Sequence, residues 1–141
     1  MSLYVLDTDM VTLLSRGHEQ VAEKAAAHAA NELAVTIIAV EEVLTGWYSQ
    51  IRRAKKDEQL ARAYAALQQA VEFFARVRVL PSEIAAIRRF RALRRAYPRI
   101  GGNDLRIAAI VQQHQATLVT RNRDDFRDIE SLLVEDWSQE Q

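Results

Sequence analysis

The chain contains no cysteine, which excludes disulfide bonds and zinc–thiolate sites and favours a reducing compartment. Its first residues lack the basic and then apolar pattern of a signal peptide. No uninterrupted apolar run approaches the roughly 20 residues that are needed to cross a bilayer. We therefore expect one cytoplasmic domain that spans residues 1–141 and does not associate with a membrane.

Neither sign of charge is in excess, because 19 basic residues balance 19 acidic ones. The charges are nevertheless unevenly distributed. The segment RRFRALRRAYPR at 88–99 contains six arginines and no acidic residue. Of the 19 basic residues three are lysines and 16 are arginines, whose planar guanidinium group suits bidentate contacts with phosphate or carboxylate. This segregation favours an anionic partner.

Short apolar runs alternate with helical segments along the chain. Five runs that are rich in apolar and β-branched residues predict strands: 3–6, 32–38, 77–81, 116–120 and 132–136. The segments between them predict helices: one that ends near Arg16, then 19–31, 39–56, 58–76, 82–97 and 103–115. Ser82 is the expected cap of the helix at 82–97, and RNRDDFRD at 121–128 is expected to be a loop.

The predicted strands lack the strict alternation of polar and apolar residues that a half-exposed sheet shows. Continuous apolar strands separated by helices are typical of a parallel sheet that is covered on both faces. The predicted fold class is therefore α/β, a three-layer α/β/α sandwich around a short parallel sheet of four to five strands. Ligands bind such sheets at the carboxyl ends of the strands, where the next helices begin.

Acidic residues follow three of the predicted strands and begin one of the helices, so all of them map to this edge of the sheet. They are Asp7, Asp9, Glu41, Glu42, Asp104, Asp124 and Asp125. Taken singly, Asp9 and Asp104 are typical helix caps, and the others are typical of a solvated helix face or a charged loop. Taken together, carboxylates within about 4–6 Å raise one another's pKa, and a divalent cation such as Mg²⁺ or Mn²⁺ offsets the repulsion.

Two further patterns refine this interpretation. Consecutive positions in a helix point about 100° apart, so only one of Glu41 and Glu42 is expected to face inward. The histidines His18, His28 and His114 map away from the acidic edge, which disfavours a zinc site and favours structural or surface roles for their rings.

Three segments carry a resemblance to a known family. LYVLDTDMV at 3–11 resembles an opening strand with an acidic turn, and VTIIAVEEVLTG at 35–46 has Glu42 four residues before Gly46. The third, GGNDLRIAAIVQQHQATLVTRNRDDF at 101–126, contains a further acid and a strand. In this order and spacing they resemble the PIN-domain nucleases, and within them the VapC-like toxins of type II toxin–antitoxin pairs. The resemblance covers nearly the whole chain.

The resemblance implies a metal-dependent endoribonuclease that cleaves RNA phosphodiesters and is the toxin of a toxin–antitoxin system. The implied partners are an RNA substrate, a cognate antitoxin and a second copy of the chain in a homodimer. The implied cofactor is Mg²⁺ or Mn²⁺, bound by the catalytic residues Asp7, Glu42 and Asp104.

The fourth acid of the family pattern is ambiguous in this chain. Many family members have an acid where this chain has Asn122. The fourth catalytic and metal-binding carboxylate is then expected to be Asp125, the residue just before Phe126, with Asp124 as the alternative, or it acts on the metal only through water.

Several polar residues near the acids are candidates for orienting ligands or water, although capping or packing explains them equally well: Thr8, Asp9, Thr36, Asn103 and Asn122. Arg121 and Arg123 lie beside the acidic edge and are candidates for RNA phosphate contacts. The segment 88–99 is a face that follows RNA phosphates, a surface for an acidic antitoxin segment, or a solvated helix face. Three aromatic residues either stack on bases or pack in the core or an interface: Trp47, Tyr48 and Tyr97.

Two other functions are compatible with the same fold. One is a PIN-fold nuclease that processes RNA without an antitoxin, and the other is a catalytically degenerate module that binds RNA or protein. A signalling receiver is disfavoured, because the third predicted strand and the residues after it, VRVLPSE, contain no phosphoacceptor Asp.

Overall fold

A five-stranded parallel sheet forms the centre of the computed structural model, which describes residues 2–139. Its strands in chain order are Tyr4–Leu6 (β1), Leu33–Thr36 (β2), Arg78–Leu80 (β3), Thr117–Val119 (β4) and Leu133–Glu135 (β5). They lie in the order β3-β2-β1-β4-β5, and every neighbouring pair is parallel. The predicted α/β class and parallel sheet are confirmed.

Seven α-helices connect the strands within the described residues. They are Thr8–Ser15 (α1), Glu19–Ala26 (α2), Ile37–Arg53 (α3), Asp57–Arg76 (α4), Ile84–Ala96 (α5), Gly102–Gln113 (α6) and Arg123–Phe126 (α7). A short 3₁₀ helix at Ala30–Glu32 precedes β2. Among residues 2–139 no helix is both long and apolar enough to cross a membrane.

Each face of the sheet packs against its own apolar cluster. Val5 and Leu118 belong to a cluster with residues of α5 and α6, whereas Leu6 and Val119 belong to a cluster with residues of α1 and α2. Successive side chains of a strand point to opposite faces, so the two clusters lie on opposite sides of the sheet. Helices therefore cover both faces, which accounts for strands without alternation.

Buried polar residues line the carboxyl edge of the sheet. Leu6 is in register with residues of both β2 and β4, so the strands end side by side. Asp7, Thr36 and Thr120 lie at these ends and are 7%, 0% and 0% exposed. The backbone amide of Asp7 donates to the carbonyl of Val119 at 3.0 Å, which extends the pairing of β1 with β4 to this acid.

The second predicted strand is too long. The strand β2 ends at Thr36, whose hydroxyl accepts a hydrogen bond from the amide of Ala39 at 3.1 Å and caps α3. The apolar residues at 37–38 therefore form the start of α3, which begins two residues before the predicted helix at 39–56. Composition could not separate these states, because a buried helix start and a buried strand are equally apolar.

The predicted helix at 19–31 is also too long, since α2 ends at Ala26. The ring centroid of His28 lies 4.3 Å from that of Tyr4 and 5.1 Å from that of Trp137, on which it is stacked. This aromatic packing takes His28 out of the helix in spite of the helix propensity of the alanines around it. Of the two roles expected for this histidine, structural or surface, the packing supports the structural one.

Two predictions about helix starts and loops are wrong. Ser82 does not cap α5, because Glu83 occupies the N-cap position and makes no side-chain capping bond. The predicted loop at 121–128 contains the single turn α7. Phe126 at the end of this turn is 1% exposed, so its burial in the core folds the charged segment into a helical turn.

Helices α5 and α6 pack as an antiparallel hairpin. The guanidinium group of Arg106 in α6 lies 4.3 Å from the ring centroid of Phe90 in α5. A Cβ at Gly102 would lie 3.1 Å from Nη2 of Arg94 and 2.9 Å from Nη1 of Arg106. Both arginines would have to move for a larger residue at Gly102. The C-terminal end of α5 is therefore beside the N-terminal end of α6.

Arg94 braces the loop that joins these two helices. Its Nη1 donates to the carbonyl oxygen of Pro98 at 3.1 Å and to that of Ile100 at 2.9 Å. Hydrogen bonds from a charged donor are stronger than neutral ones. The loop that positions the first turn of α6 is thus fixed by a side chain of α5.

Replacing Arg94 with alanine is expected to lower the free energy of unfolding by about 2 kcal/mol, because two loop carbonyls lose a charged donor. Urea unfolding followed by circular dichroism measures the change. The matched control is Arg95→Ala, whose side chain is exposed and whose expected effect is within about 0.5 kcal/mol. Equal effects of the two substitutions would contradict a bracing role for Arg94.

Candidate active site

Asp7 is a buried acid at the end of the central strand. It follows β1 directly and caps α1, where its Oδ1 accepts a hydrogen bond from the amide of Met10 at 2.9 Å. The alternative explanation of Asp9 as the cap of this helix is wrong, because Asp9 lies in the first turn. One carboxylate thus serves both as a helix cap and as a charge at the sheet edge.

Burial raises the pKa of Asp7 to about 6. Loss of hydration is the largest cause, and the charges of Asp9 and Asp104 raise the pKa further. Hydrogen bonds from the Thr120 side chain and the Met10 amide act in the opposite direction, because they stabilise the carboxylate. None of these main influences is a basic residue, so the position favours a positively charged ligand.

Asp104 is the point at which charges from remote segments meet. It lies half-buried in the first turn of α6. Burial raises its pKa first, followed by the charges of Asp125, Glu42 and Asp9. The alternative explanation of Asp104 as the cap of α6 is wrong, because Gly101 occupies the N-cap position without a side-chain bond. Acids from four separate segments therefore lie close enough to interact.

Glu42 reaches the site from α3. It is partly buried whereas its neighbour Glu41 is exposed, which agrees with the expectation that only one of them faces inward. The hydroxyl of Thr8 donates a hydrogen bond to Oε1 of Glu42 at 2.6 Å. This bond joins the starts of α1 and α3 and fixes the orientation of the Glu42 carboxylate.

The two neighbouring acids after β4 have different surroundings. Asp125 contributes more than any other charge to the raised pKa of Asp104. Asp124 instead pairs with Arg127, at 3.5 Å between Oδ1 and Nη1, on the exposed surface. Asp125 is therefore better placed than Asp124 to act together with Asp104. We refer below to Asp7, Asp9, Glu42, Asp104 and Asp125 as the acidic cluster.

Asn122 and Thr120 connect the acidic cluster to the end of β4. The Nδ2 of Asn122 donates to Oδ2 of Asp9 at 3.2 Å, and its backbone amide donates to Oγ1 of Thr120 at 3.0 Å. Thr120 is not among the predicted site residues, although its side chain also interacts with Asp7. Its position in the sequence could have indicated this role. Thr120 directly follows β4, and Asp7 directly follows the neighbouring strand β1.

Two of the polar candidates have other partners. Thr36 is fully buried and caps α3. Asn103 accepts a hydrogen bond from Nη1 of Arg106 at 3.2 Å, which holds it on the surface of α6. Arg121 and Arg123, the candidates for phosphate contacts, are both exposed and flank Asn122 in sequence.

The other two histidines lie at helix ends, and the three aromatic candidates differ in their surroundings. The Nδ1 of His18 accepts from the amide of Val21 at 3.4 Å at the start of α2, and His114 ends α6. Trp47 lines a cavity of about 480 Å³ between α1, α3 and α4. Tyr97 accepts a hydrogen bond from the amide of Glu130, whereas Tyr48 is 47% exposed.

The donor chemistry of the acidic cluster fits a hard divalent cation. Carboxylate oxygens are the ligands that Mg²⁺ and Mn²⁺ prefer. In the side-chain conformations of residues 2–139, no group of three acids or histidines is arranged to hold a metal ion. Asp104 is only partly buried and Asp125 is exposed, so these two carboxylates have room to rotate towards an ion that Asp7 and Glu42 also contact.

Comparison with protein families gives one decisive match. The model of the PIN domain matches residues 4–132, a range that includes the whole acidic cluster. The chain belongs to the PIN domain family. Members of this family are nucleases. The resemblance recognised in the sequence is therefore confirmed at the level of the family.

Solved structures of VapBC complexes are similar to this PIN domain over almost their whole length. A chain of VapBC2 from Rickettsia felis bound to promoter DNA matches with a TM-score of 0.76 and 24% identity, over 96% of this chain and 98% of that chain. VapBC-1 from nontypeable Haemophilus influenzae gives a TM-score of 0.75 and 25% identity, over 97% and 99%. DNA-bound VapBC from Salmonella typhimurium gives 0.77 and 21%, over 97% and 99%. Comparison with the curated proteins finds no match.

The raised pKa of Asp7 makes the stability of this PIN domain depend on pH. A carboxyl group whose pKa is raised to about 6 in the folded state stabilises the fold below about pH 4, and this contribution is lost as the pH rises through 6. Asp7→Asn keeps a capping side chain but removes the charge. With a chelator present, we expect the variant to be more stable than the parent by up to about 3 kcal/mol at pH 7.5 and to lose this advantage at pH 4.

Urea unfolding at several pH values measures the difference between the two proteins. The exposed acid Glu41 provides a control of equal charge change, Glu41→Gln. A difference between parent and Asp7→Asn that stays constant from pH 4 to pH 7.5 would contradict a raised pKa.

Proposed function

We propose that this PIN domain is a metal-dependent endoribonuclease whose catalytic residues are Asp7, Glu42, Asp104 and Asp125. The observation that carries the proposal is the electrostatic coupling of Asp104 to Glu42 and Asp125, which come from separate segments of the chain. Uncompensated carboxylates at one sheet edge are costly as a purely structural feature. They are required by a site that binds a cation and a phosphodiester together.

The same four carboxylates would hold Mg²⁺ or Mn²⁺. When bound, such a cation lowers the pKa of a coordinated water and offsets negative charge on the phosphoryl and leaving oxygens. Asp7 is the rigid member of the set, because it is buried and bonded to the amide of Met10. Thr8 orients Glu42, and Asn122 orients Asp9 at the rim of the site.

RNA is the proposed substrate. The acidic cluster alone repels phosphates, so a positive environment is needed around the scissile bond. Arg121 and Arg123 are exposed next to Asn122, from which their guanidinium groups reach phosphates that flank the site. The choice of RNA rests on the resemblance to VapC-like toxins.

A degenerate binding module is the alternative that Asn122 raises. Asn122 donates a hydrogen bond to Asp9 instead of adding a charge. Asp125 argues against loss of the site, because its charge already acts on Asp104. Four carboxylates are therefore retained although the usual fourth position is an amide.

We further infer that the chain is a toxin with a cognate antitoxin, acts in the cytoplasm and forms a homodimer. The likeness to VapBC structures over nearly the whole chain supports the antitoxin partner. A neighbouring gene whose product is a DNA-binding antitoxin and co-purifies with the chain would distinguish this function from RNA processing without an antitoxin.

Loss of a central carboxylate is expected to abolish cleavage. We expect Asp7→Asn or Asp104→Asn to reduce the rate of RNA cleavage with Mn²⁺ by at least about 100-fold, because loss of groups that merely orient ligands already costs 10–100-fold. Mapping of new RNA ends after induced expression, together with gel assays of the purified chain, measures the loss. The control is Asp124→Asn, which is expected to keep near-normal activity; normal activity in either of the central variants would refute the assignment.

Metal binding is expected to depend on the same residues. Isothermal titration with Mn²⁺ should detect one or more sites in the parent protein, and the melting temperature should rise with Mn²⁺ and fall when a chelator removes it. Asp104→Asn should weaken both effects, whereas Glu41→Gln should change neither. Failure of the parent protein to bind Mn²⁺ would favour the degenerate module.

A further inference from the structure

The outer face of α5 carries a row of arginines. One face of this helix packs on the core through its apolar residues. Arg88, Arg91 and Arg95 lie on the opposite face and are all exposed. Helical positions three and four apart are neighbours on one face, so these side chains form a continuous line about 10 Å long. We call these three residues the arginine row.

No counter-charge accompanies the arginine row. The helix α5 contains no acidic residue. The one ion pair within residues 2–139 joins Arg127 to Asp124, so the described residues give the row no acidic partner. Three like charges in a line repel one another, and a solvated face gains no stability from them. A bound polyanion would convert this repulsion into attraction.

The arginine row is rigidly connected to the acidic cluster. The contact of Arg94 with Gly102 places the end of α5 beside the start of α6, which carries Asp104. The bonds from Arg94 to the loop carbonyls fix this geometry. Arg95 is accordingly the end of the row nearer to the acidic cluster, and Arg88 is the far end.

We propose that the arginine row binds successive phosphates of the RNA strand that extends from the cleavage site. This inference rests on the proposed ribonuclease function and adds a docking surface to it. A polymer with regularly repeated charges suits a line of guanidinium groups, each of which offers a bidentate fork to a phosphate. Two rows that faced each other in a symmetric contact would place like charges together, so a polyanion suits this surface better than the same row of a second copy.

The salt dependence of RNA binding tests the row. The probe is a labelled single-stranded oligouridylate, bound by the full chain with Asp7→Asn so that it is not cleaved, and anisotropy is measured over a range of KCl. Converting Arg88, Arg91 and Arg95 together to glutamine is expected to reduce the slope of log affinity against log salt by about 2, because each phosphate contact contributes about 0.7. Affinity at low salt is expected to fall at least about 10-fold.

The matched control removes three exposed arginines from other elements by converting Arg52, Arg62 and Arg78 to glutamine. We expect this variant to keep the parent slope. In the active chain, the row variant should raise KM for long RNA and leave kcat for a dinucleotide unchanged, since a dinucleotide is too short to reach α5. Circular dichroism verifies that both variants are folded.

Three results would overturn the proposal that the arginine row binds RNA. Equal loss of slope in the row variant and the control would mean diffuse attraction. An unchanged slope for RNA with lost binding of polyglutamate would identify a surface for an acidic protein segment. Absence of RNA binding by the Asp7→Asn chain at any salt concentration would also overturn it. A parent chain that binds RNA with the expected slope but does not cleave it with Mn²⁺ would support the row and refute the proposed nuclease.

Discussion

Repulsion between carboxylates at the carboxyl edge of the sheet is the constraint on which the rest of this structure depends. Asp7 and Asp104 have raised pKa values because burial and neighbouring acids both disfavour their ionised forms. Such an arrangement persists only when the surrounding fold outweighs its cost. The parallel pairing of β1 with its two neighbours and the apolar clusters on both faces provide that stability.

The acids are oriented without being neutralised. Thr8 holds Glu42, Asn122 holds Asp9, and Thr120 interacts with Asp7. Each partner is an uncharged hydrogen-bond donor from an element that ends or begins at the same edge. These three acids therefore keep a defined orientation without a basic partner, which suits a cation-binding site. Basic residues lie around this edge and along α5, and none of the main influences on the two raised pKa values is basic.

Much of this arrangement could be predicted because topology determines it. Apolar runs identified all five strands, and acids that follow parallel strands must meet at one edge. The missed details depend on tertiary contacts: stacking of His28 ends α2, and burial of Phe126 creates α7. The role of Thr120 and the difference between Asp124 and Asp125 depend on which side chains face one another in the folded chain, and single-sequence patterns contain no such information.

The strand order has a consequence for synthesis of the protein. The central strand β1 is made first, but its neighbour β4 comes from the far end of the chain, where Leu6 pairs with Val119. A nascent chain on the ribosome cannot assemble the edge until the segment that includes Asp125 has emerged. Translation itself therefore delays completion of the site, and fragments that stop before β4 lack both Asp125 and the strand that positions it.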